Sequence, residues 1–342
     1  MQGQFRQGSS GVLDVLLTNR CNLKCKMCDM GQGLWQADRG EDDLTPDQWL
    51  AIVEKLGVNT VCLNGWEPLL YERFDELVEK LSPGRQLFLI TNGTLIDKWF
   101  DSIVKYIDGV TVSLDGMPEV HNRIRGVPGT WTKAYVGLVR LHLAGKPASV
   151  SYAITPDNIP DMVGLSNTLE QYAAMPLLFN HYNFIHPLSA DDECDANNMA
   201  VYDPTKMNTD TLWEAVKMCS DRDFLPALST KAEIEEYYHN PPTSPMHTDE
   251  GCKILNWMAA GHRYIVDHAG RFCMGNRCWM QKDLGDAMTD PPPCENEWVL
   301  AKARGTKAWL PSQCQRLCCS GKTVHGEGRR VAQVCRDTSA TP

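Results

Sequence analysis

VLDVLLTNRCNLKCKMC runs from Val12 to Cys28. It opens as a short apolar run and closes on three cysteines, Cys21, Cys25 and Cys28, with three residues between the first two and two between the last two. The apolar part reads as a buried strand. The cysteines follow it directly, so they occupy a loop at the strand's C-terminal end, where ligands bind in parallel α/β sheets. Working outward, similar runs recur: TVCLN (60–64), LFLIT (87–91), GVTVSL (109–114), ASVSYAI (148–154) and LLFNH (177–181). Amphipathic stretches lie between them. TPDQWLAIVEKLG has Thr45 as N-cap, Pro46 at the first helical position and Gly57 at its end, with Trp49, Ile52, Val53 and Leu56 on one face. Alternation of this kind means a parallel sheet, either an open doubly wound sheet or part of a β/α barrel.

The whole chain has 342 residues, and its 33 Lys and Arg against 43 Asp and Glu leave a net charge of −10. An acidic surface argues against a nucleic-acid or anionic-membrane partner. No apolar run approaches the ~18 residues of a membrane span. The polar N-terminus MQGQFRQGSS shows no secretion signal, so a cytoplasmic location is expected. Fourteen cysteines are many for such a chain. Clustered cysteines in a reducing compartment more often bind metal than pair as disulfides. Residues 188–250 break the alternating rhythm with polar loops and two expected helices, near 210–219 and 230–238. From 251 onward HRYIVDHAGRFCM reads as a β-hairpin about an Ala-Gly turn, followed by cysteine-rich sequence with little periodicity. Such a region lacks a core and needs a staple.

Three readings compete for Cys21, Cys25 and Cys28. A structural zinc site would need a distant fourth ligand. A redox dithiol would use only Cys25 and Cys28. An iron–sulfur cluster with three cysteine ligands leaves one iron open, and the spacing favours this reading. Cys62 lies within an apolar strand and reads as a core residue. His181, at the end of its strand, could contact a ligand, whereas His186 and His262 read as packing or surface residues.

CNLKCKMC resembles the signature of radical S-adenosylmethionine (SAM) enzymes. In that family three cysteines hold a [4Fe–4S] cluster, and SAM occupies the fourth iron. Later segments resemble the family in order. LNGWEPLL supplies Gly65, Glu67 and Pro68, with Trp66 where a glycine is usual, and ITNGTLI supplies Asn92. VSLDGMPEVHNRIRG supplies Ser113, Asp115, Arg123 and Arg125, and ITPDN supplies Asn158.

The resemblance implies that Met27 packs against adenine, Glu67 accepts from the SAM ammonium, Ser113 and Asp115 lie near the ribose, and Asn158 helps seat the cofactor. Arg123 or Arg125 would pair with the SAM carboxylate. It implies a partial (β/α)6 barrel over residues 11–187, a helical linker over 188–250 and a cluster-binding extension over 251–336, similar to SPASM or twitch domains. That extension would hold at least one auxiliary [4Fe–4S] cluster on Cys252, Cys273, Cys314 and Cys318, with Cys335 as the alternate ligand.

The chemistry implied is SAM cleavage by one electron, from a flavodoxin- or ferredoxin-type donor, to a 5′-deoxyadenosyl radical. That radical would abstract a hydrogen atom from an unactivated C–H bond, with oxidation or epimerisation as the outcome. Substrates of such enzymes are natural-product intermediates. A first strand near residue 12 leaves no preceding peptide-recognition domain, which tilts the expectation toward a carbohydrate or aminocyclitol over a peptide. The rival outside the enzyme class is a non-catalytic iron–sulfur or zinc protein.

Overall fold

The six apolar runs all form strands, and the stretches between them supply helices. In a computed structural model the described residues are 11–28, 43–173, 177–181, 207–219, 230–232, 234–235, 263–273, 286–290 and 292. The strands are β1 (Val12–Leu16), β2 (Thr60–Asn64), β3 (Gln86–Thr91), β4 (Gly109–Ser113), β5 (Ala148–Ile154), β6 (Leu177–His181) and β7 (Arg263–Val266). The helices are α1 (Pro46–Leu56), α2 (Phe74–Leu81), α3 (Phe100–Tyr106), α4 (Pro118–Arg125), α5 (Thr130–Leu143), α6 (Met162–Ala173) and α7 (Thr209–Met218).

One sheet holds all seven strands in the order β6-β5-β4-β3-β2-β1-β7. Every pairing is parallel. The first six strands stand in sequence order with no reversal, which is the wall of a barrel and not a doubly wound sheet with its switch point.

Local chemistry explains the element ends. Thr45 and Gln48 form a reciprocal capping box at the start of α1, with Pro46 behind it. Trp49, Ile52 and Val53 of α1 are wholly buried against the sheet. Along the strands every second residue faces the helices: Leu13 and Val15, Val61 and Leu63, Leu87 and Leu89, Val110 and Val112, Val150 and Tyr152. All belong to one apolar core. Each such side chain contributes about 1.5–3 kcal/mol by leaving water. The helix-facing side therefore holds the sheet, and the opposite face is left able to carry polar groups.

That opposite face bears Asp14, Cys62, Thr111, Ser113 and Ser149, aligned across the register. Cys62 is buried as expected, but it sits on this inner face beside Asp14. Burial pushes its thiol pKa up, with the Asp14 carboxylate adding to the effect.

The expected hairpin near residue 270 is present as a short antiparallel pair, with Asp267 N donating to Arg271 O and Cys273 N to Ile265 O. Gly270 N donates to Asp267 O, and Val266 bridges Phe272. The main partner of its first arm is β1, with Val12 opposite Arg263 and Val15 opposite Val266. Arg263 Nε donates to Asp14 Oδ2 at 2.6 Å, a mostly buried ion pair that ties the late strand to the first one. The expected helix near 210–219 is α7. Among the described residues no helix is long and apolar enough to cross a membrane.

Candidate cluster and cofactor site

The loop after β1 is pinned at alternate residues. Arg20 O accepts from Glu67 N at 3.1 Å, so the end of β2 holds it. Asn22 Oδ1 accepts from Asn92 Nδ2 at 2.8 Å, and Asn22 Nδ2 donates to Thr94 Oγ1 at 2.9 Å, so the turn after β3 holds it too. Lys24 N donates to Arg125 O at 3.1 Å and Lys26 N to Ile124 O at 2.8 Å, so the end of α4 brackets Cys25. These bonds satisfy carbonyls that a helix C-terminus leaves open. Cys25 is buried between them, Cys28 is half-buried and Cys21 is exposed.

Close approach makes this bracket possible. Gly126 follows α4 at φ 73°, and a Cβ there would stand 2.4 Å from Lys24 O. Gly65, at φ 107°, passes so near the end of β1 that a Cβ would meet Leu16 Cα at 3.1 Å.

A cavity of about 170 Å³ opens above the strand ends. Cys21, Cys25, Cys28 and Met27 line it from the loop, with Gly65, Asn92, Ser113 and Arg125 from the later strand ends. Eight of the expected residues thus meet around one space. Trp66, Thr91, Leu23 and Ile90 also line it, although the sequence reading gave them no role. For Trp66 the signal was its departure from the usual glycine.

The remaining expected residues lie elsewhere. Arg123 is exposed on α4 and does not line the cavity, so Arg125 is the arginine that reaches it. Two residues separate by about 200° on a helix, which sends the two side chains to opposite sides. Glu67, Asp115 and Asn158 have no exposed surface and brace the walls from behind. Asn158 Nδ2 donates to Asp115 O and Ala153 O, and its Oδ1 accepts from Thr155 N. Asp115 accepts from Arg125 Nε at 2.5 Å and from Ala153 N at 2.8 Å. His121, within the same sequence run but given no role, accepts from Asp115 N through Nδ1. Burial, with the Arg125 charge beside it, lowers its pKa to about 4 and keeps it neutral.

Glu67 ties β2 to β3. Its carboxylate accepts from Leu69 N, from the Thr91 hydroxyl and from Asn92 N at 3.1, 2.7 and 2.7 Å. Burial nevertheless raises its pKa to about 7, against those three bonds. A carboxyl raised in the folded state favours folding below its unfolded pKa of about 4.5, and that contribution is lost as pH rises toward 7. Urea unfolding across this range is expected to show stability falling through this group, by on the order of 3 kcal/mol. Glu67→Gln is expected to flatten that slope, and an unchanged slope would contradict the assignment.

The donor set suits a cluster with an open position. Among the described residues the three thiols and Arg125 are the only ionisable groups lining the cavity, and none of them is a carboxylate or imidazole that could serve as a fourth ligand. Among the described residues no three His, Cys, Asp or Glu side chains lie close enough to hold a single metal ion. The thiols spread around a larger space. Burial raises the Cys25 pKa, while Arg125 pulls it back. Arg125 Nη1 stands 3.8 Å from Cys25 Sγ and favours the thiolate that metal binding requires.

Comparison with known proteins identifies the segment that carries the site. Residues 15–166 match the model described as the radical SAM superfamily. This segment is a radical SAM domain. Its cofactors are SAM and a [4Fe–4S] cluster. The radical SAM domain is similar to Fe-coproporphyrin III synthase of Methanosarcina barkeri, at 28% identity over 184 residues, covering 52% of this chain and 45% of that protein. It is also similar to the sporulation killing factor maturation protein SkfB of Bacillus subtilis, at 30% identity over 168 residues, 46% of this chain and 38% of that protein. The chain spans less than half the length of these curated relatives. Among solved structures, SuiB of Streptococcus suis bound to SAM shares the fold, with a TM-score of 0.60, 15% identity, and coverage of 86% of this chain and 68% of that one.

Of the expected auxiliary ligands only Cys273 is described. It is buried against Leu16 and Ile265, and its amide donates to Ile265 O at 2.8 Å. Cys252, Cys314, Cys318 and Cys335 lie outside the described residues, as do His186 and His262. His181 ends β6.

Proposed function

We propose that Cys21, Cys25 and Cys28 hold the [4Fe–4S] cluster, and that the enzyme oxidises or epimerises a carbon centre of a peptide natural-product precursor. The observation that carries the first part is the meeting of three thiols and one guanidinium around one cavity. When bound, the cluster and SAM supply a 5′-deoxyadenosyl radical, able to take a hydrogen atom from an unactivated C–H bond.

This chain's residues bind, orient and shield. Arg125 Nε is engaged by Asp115, and among the described residues Nη2 makes no hydrogen bond. The Nη end is therefore the part left to meet the SAM carboxylate. Met27 and Trp66 offer soft and aromatic surface to adenine, and Ser113 offers a hydroxyl to the ribose. Glu67, Asp115 and Asn158 fix the walls, so the site is preorganised before any ligand enters. Leu23 and Ile90 help exclude water. Cys252, Cys273, Cys314 and Cys318, with Cys335 as alternate, are assigned to an auxiliary cluster that accepts an electron from the substrate radical. A flavodoxin- or ferredoxin-type protein is assigned as the electron donor.

The relatives favour a peptide over a carbohydrate. SkfB is a maturation protein of a killing factor, and SuiB has been solved with its precursor peptide SuiA at a TM-score of 0.56. The test is 5′-deoxyadenosine formation by the anaerobically reconstituted protein, with peptides encoded beside its gene and, separately, aminocyclitols. Acceleration by a peptide is expected. The peptide would lose two hydrogens on oxidation, or gain deuterium in heavy water on epimerisation. Acceleration by aminocyclitols alone would overturn the peptide reading.

A further inference from the structure

We propose that Arg125 and Asp115 together set the reduction potential of the cluster on Cys21, Cys25 and Cys28. The proposal rests on the ligand assignment above and goes beyond it, since it concerns electron affinity and not cofactor placement.

Among the described residues Arg125 is the only cation lining the cavity. Its side chain is 11% exposed, and its charge is permanent. Nη1 lies 3.8 Å from Cys25 Sγ, the most buried of the three thiols. Nε is locked on Asp115 at 2.5 Å. The Asp115 carboxylate accepts also from Ala153 N, and its main chain is fixed by Asp115 N donating to His121 Nδ1 and Asp115 O accepting from Asn158 Nδ2. The guanidinium therefore cannot swing away from the sulfur without breaking a buried ion pair.

Hydrogen bonds to the ligand sulfurs and nearby charge are among the factors that set iron–sulfur potentials. Reduction adds one electron and forms or breaks no bond here. The added negative charge is stabilised by an N–H donor and a fixed cation at Cys25, and is opposed by the carboxylate behind them. In a site with little water both effects are strong. Arg125 raises the potential and Asp115 holds that rise in check. The pair makes opposite predictions for its two members, which a general loosening of the fold would not.

The test is a potentiometric titration of the reconstituted full chain, followed by electron paramagnetic resonance without SAM. A Cys21→Ala, Cys25→Ala, Cys28→Ala variant supplies the baseline for any other cluster. Arg125→Met is expected to make reduction at least tenfold less favourable, about 59 mV for one electron. Asp115→Asn is expected to shift the equilibrium at least threefold the other way. Shifts in one direction, or none, would overturn the proposal. If Arg125→Met takes up no cluster, Asp115→Asn decides alone, an upward shift supporting the tuning and any other result refuting it. A wild-type signal no larger than the baseline would instead remove the ligand assignment, and the tuning with it.

Discussion

Cys25→Ala is expected to reduce SAM cleavage to the level seen without protein, while iron bound elsewhere in the chain is retained. The backbone on either side of Cys25 is fixed by two hydrogen bonds to the end of α4, and neither uses the thiol. The substitution therefore removes a ligand and leaves the loop in place. Two thiols cannot replace three in a cluster that leaves one iron open for its cofactor. The measurement is 5′-deoxyadenosine formation under dithionite, paired with iron and sulfide content. Cleavage is expected to vanish, and iron to fall by one cluster. Retained cleavage would mean that the first cysteine motif does not hold the cluster.

Gly126→Ala is expected to be the most damaging single-methyl change near the site. Two costs combine. The residue stands at φ 73°, where a side chain is strained by about 1–3 kcal/mol. The new Cβ would also fall 2.4 Å from Lys24 O, a backbone atom that cannot rotate away. Relief requires the cluster loop and α4 to part, which breaks the bonds bracketing Cys25. Gly84→Ala is the natural control, because it has φ 74° and no atom within 4 Å of the added Cβ. It bears the strain without the clash. Urea unfolding is expected to show a larger loss for Gly126→Ala than for Gly84→Ala, with reduced cluster loading only in the former. Equal losses, with full loading in both, would contradict the bracket.

Much of this molecule was legible in its sequence, for definite reasons. The apolar runs marked β1 to β6 because short runs rich in Leu, Ile and Val suit buried strands, and β1 to β5 each bury such a face under helices. Thr45, Pro46 and Gly57 marked the ends of α1 because capping is local chemistry. The cysteine loop and the segments carrying Gly65, Asn92, Ser113 and Arg125 could be placed together because each follows a parallel strand, and parallel strands share one C-terminal edge.

What escaped was non-local or orientational. Arg263 pairs with Asp14 across 249 residues of sequence, and no local pattern announces that a short late strand joins β1. Glu67, Asp115 and Asn158 were linked to the cofactor through the resemblance of their segments, which carries no side-chain direction. Their side chains turn behind the wall because the ends of β2 to β5 offer buried donors and acceptors there. The choice between Arg123 and Arg125 depends on the phase of α4, which only the packed helix fixes. Trp66 could be noticed as an anomaly, but its place in the cavity wall depends on the left-handed turn at Gly65.

The central claim is that the three thiols after β1 hold a cluster that cleaves SAM. The most direct measurement is iron and sulfide content after anaerobic reconstitution, with 5′-deoxyadenosine formation followed under dithionite in the same sample. The expected result is iron and sulfide for at least one [4Fe–4S] cluster that disappears in Cys25→Ala, together with SAM cleavage. Bound zinc with no SAM cleavage would contradict the account and leave a structural metal site in its place.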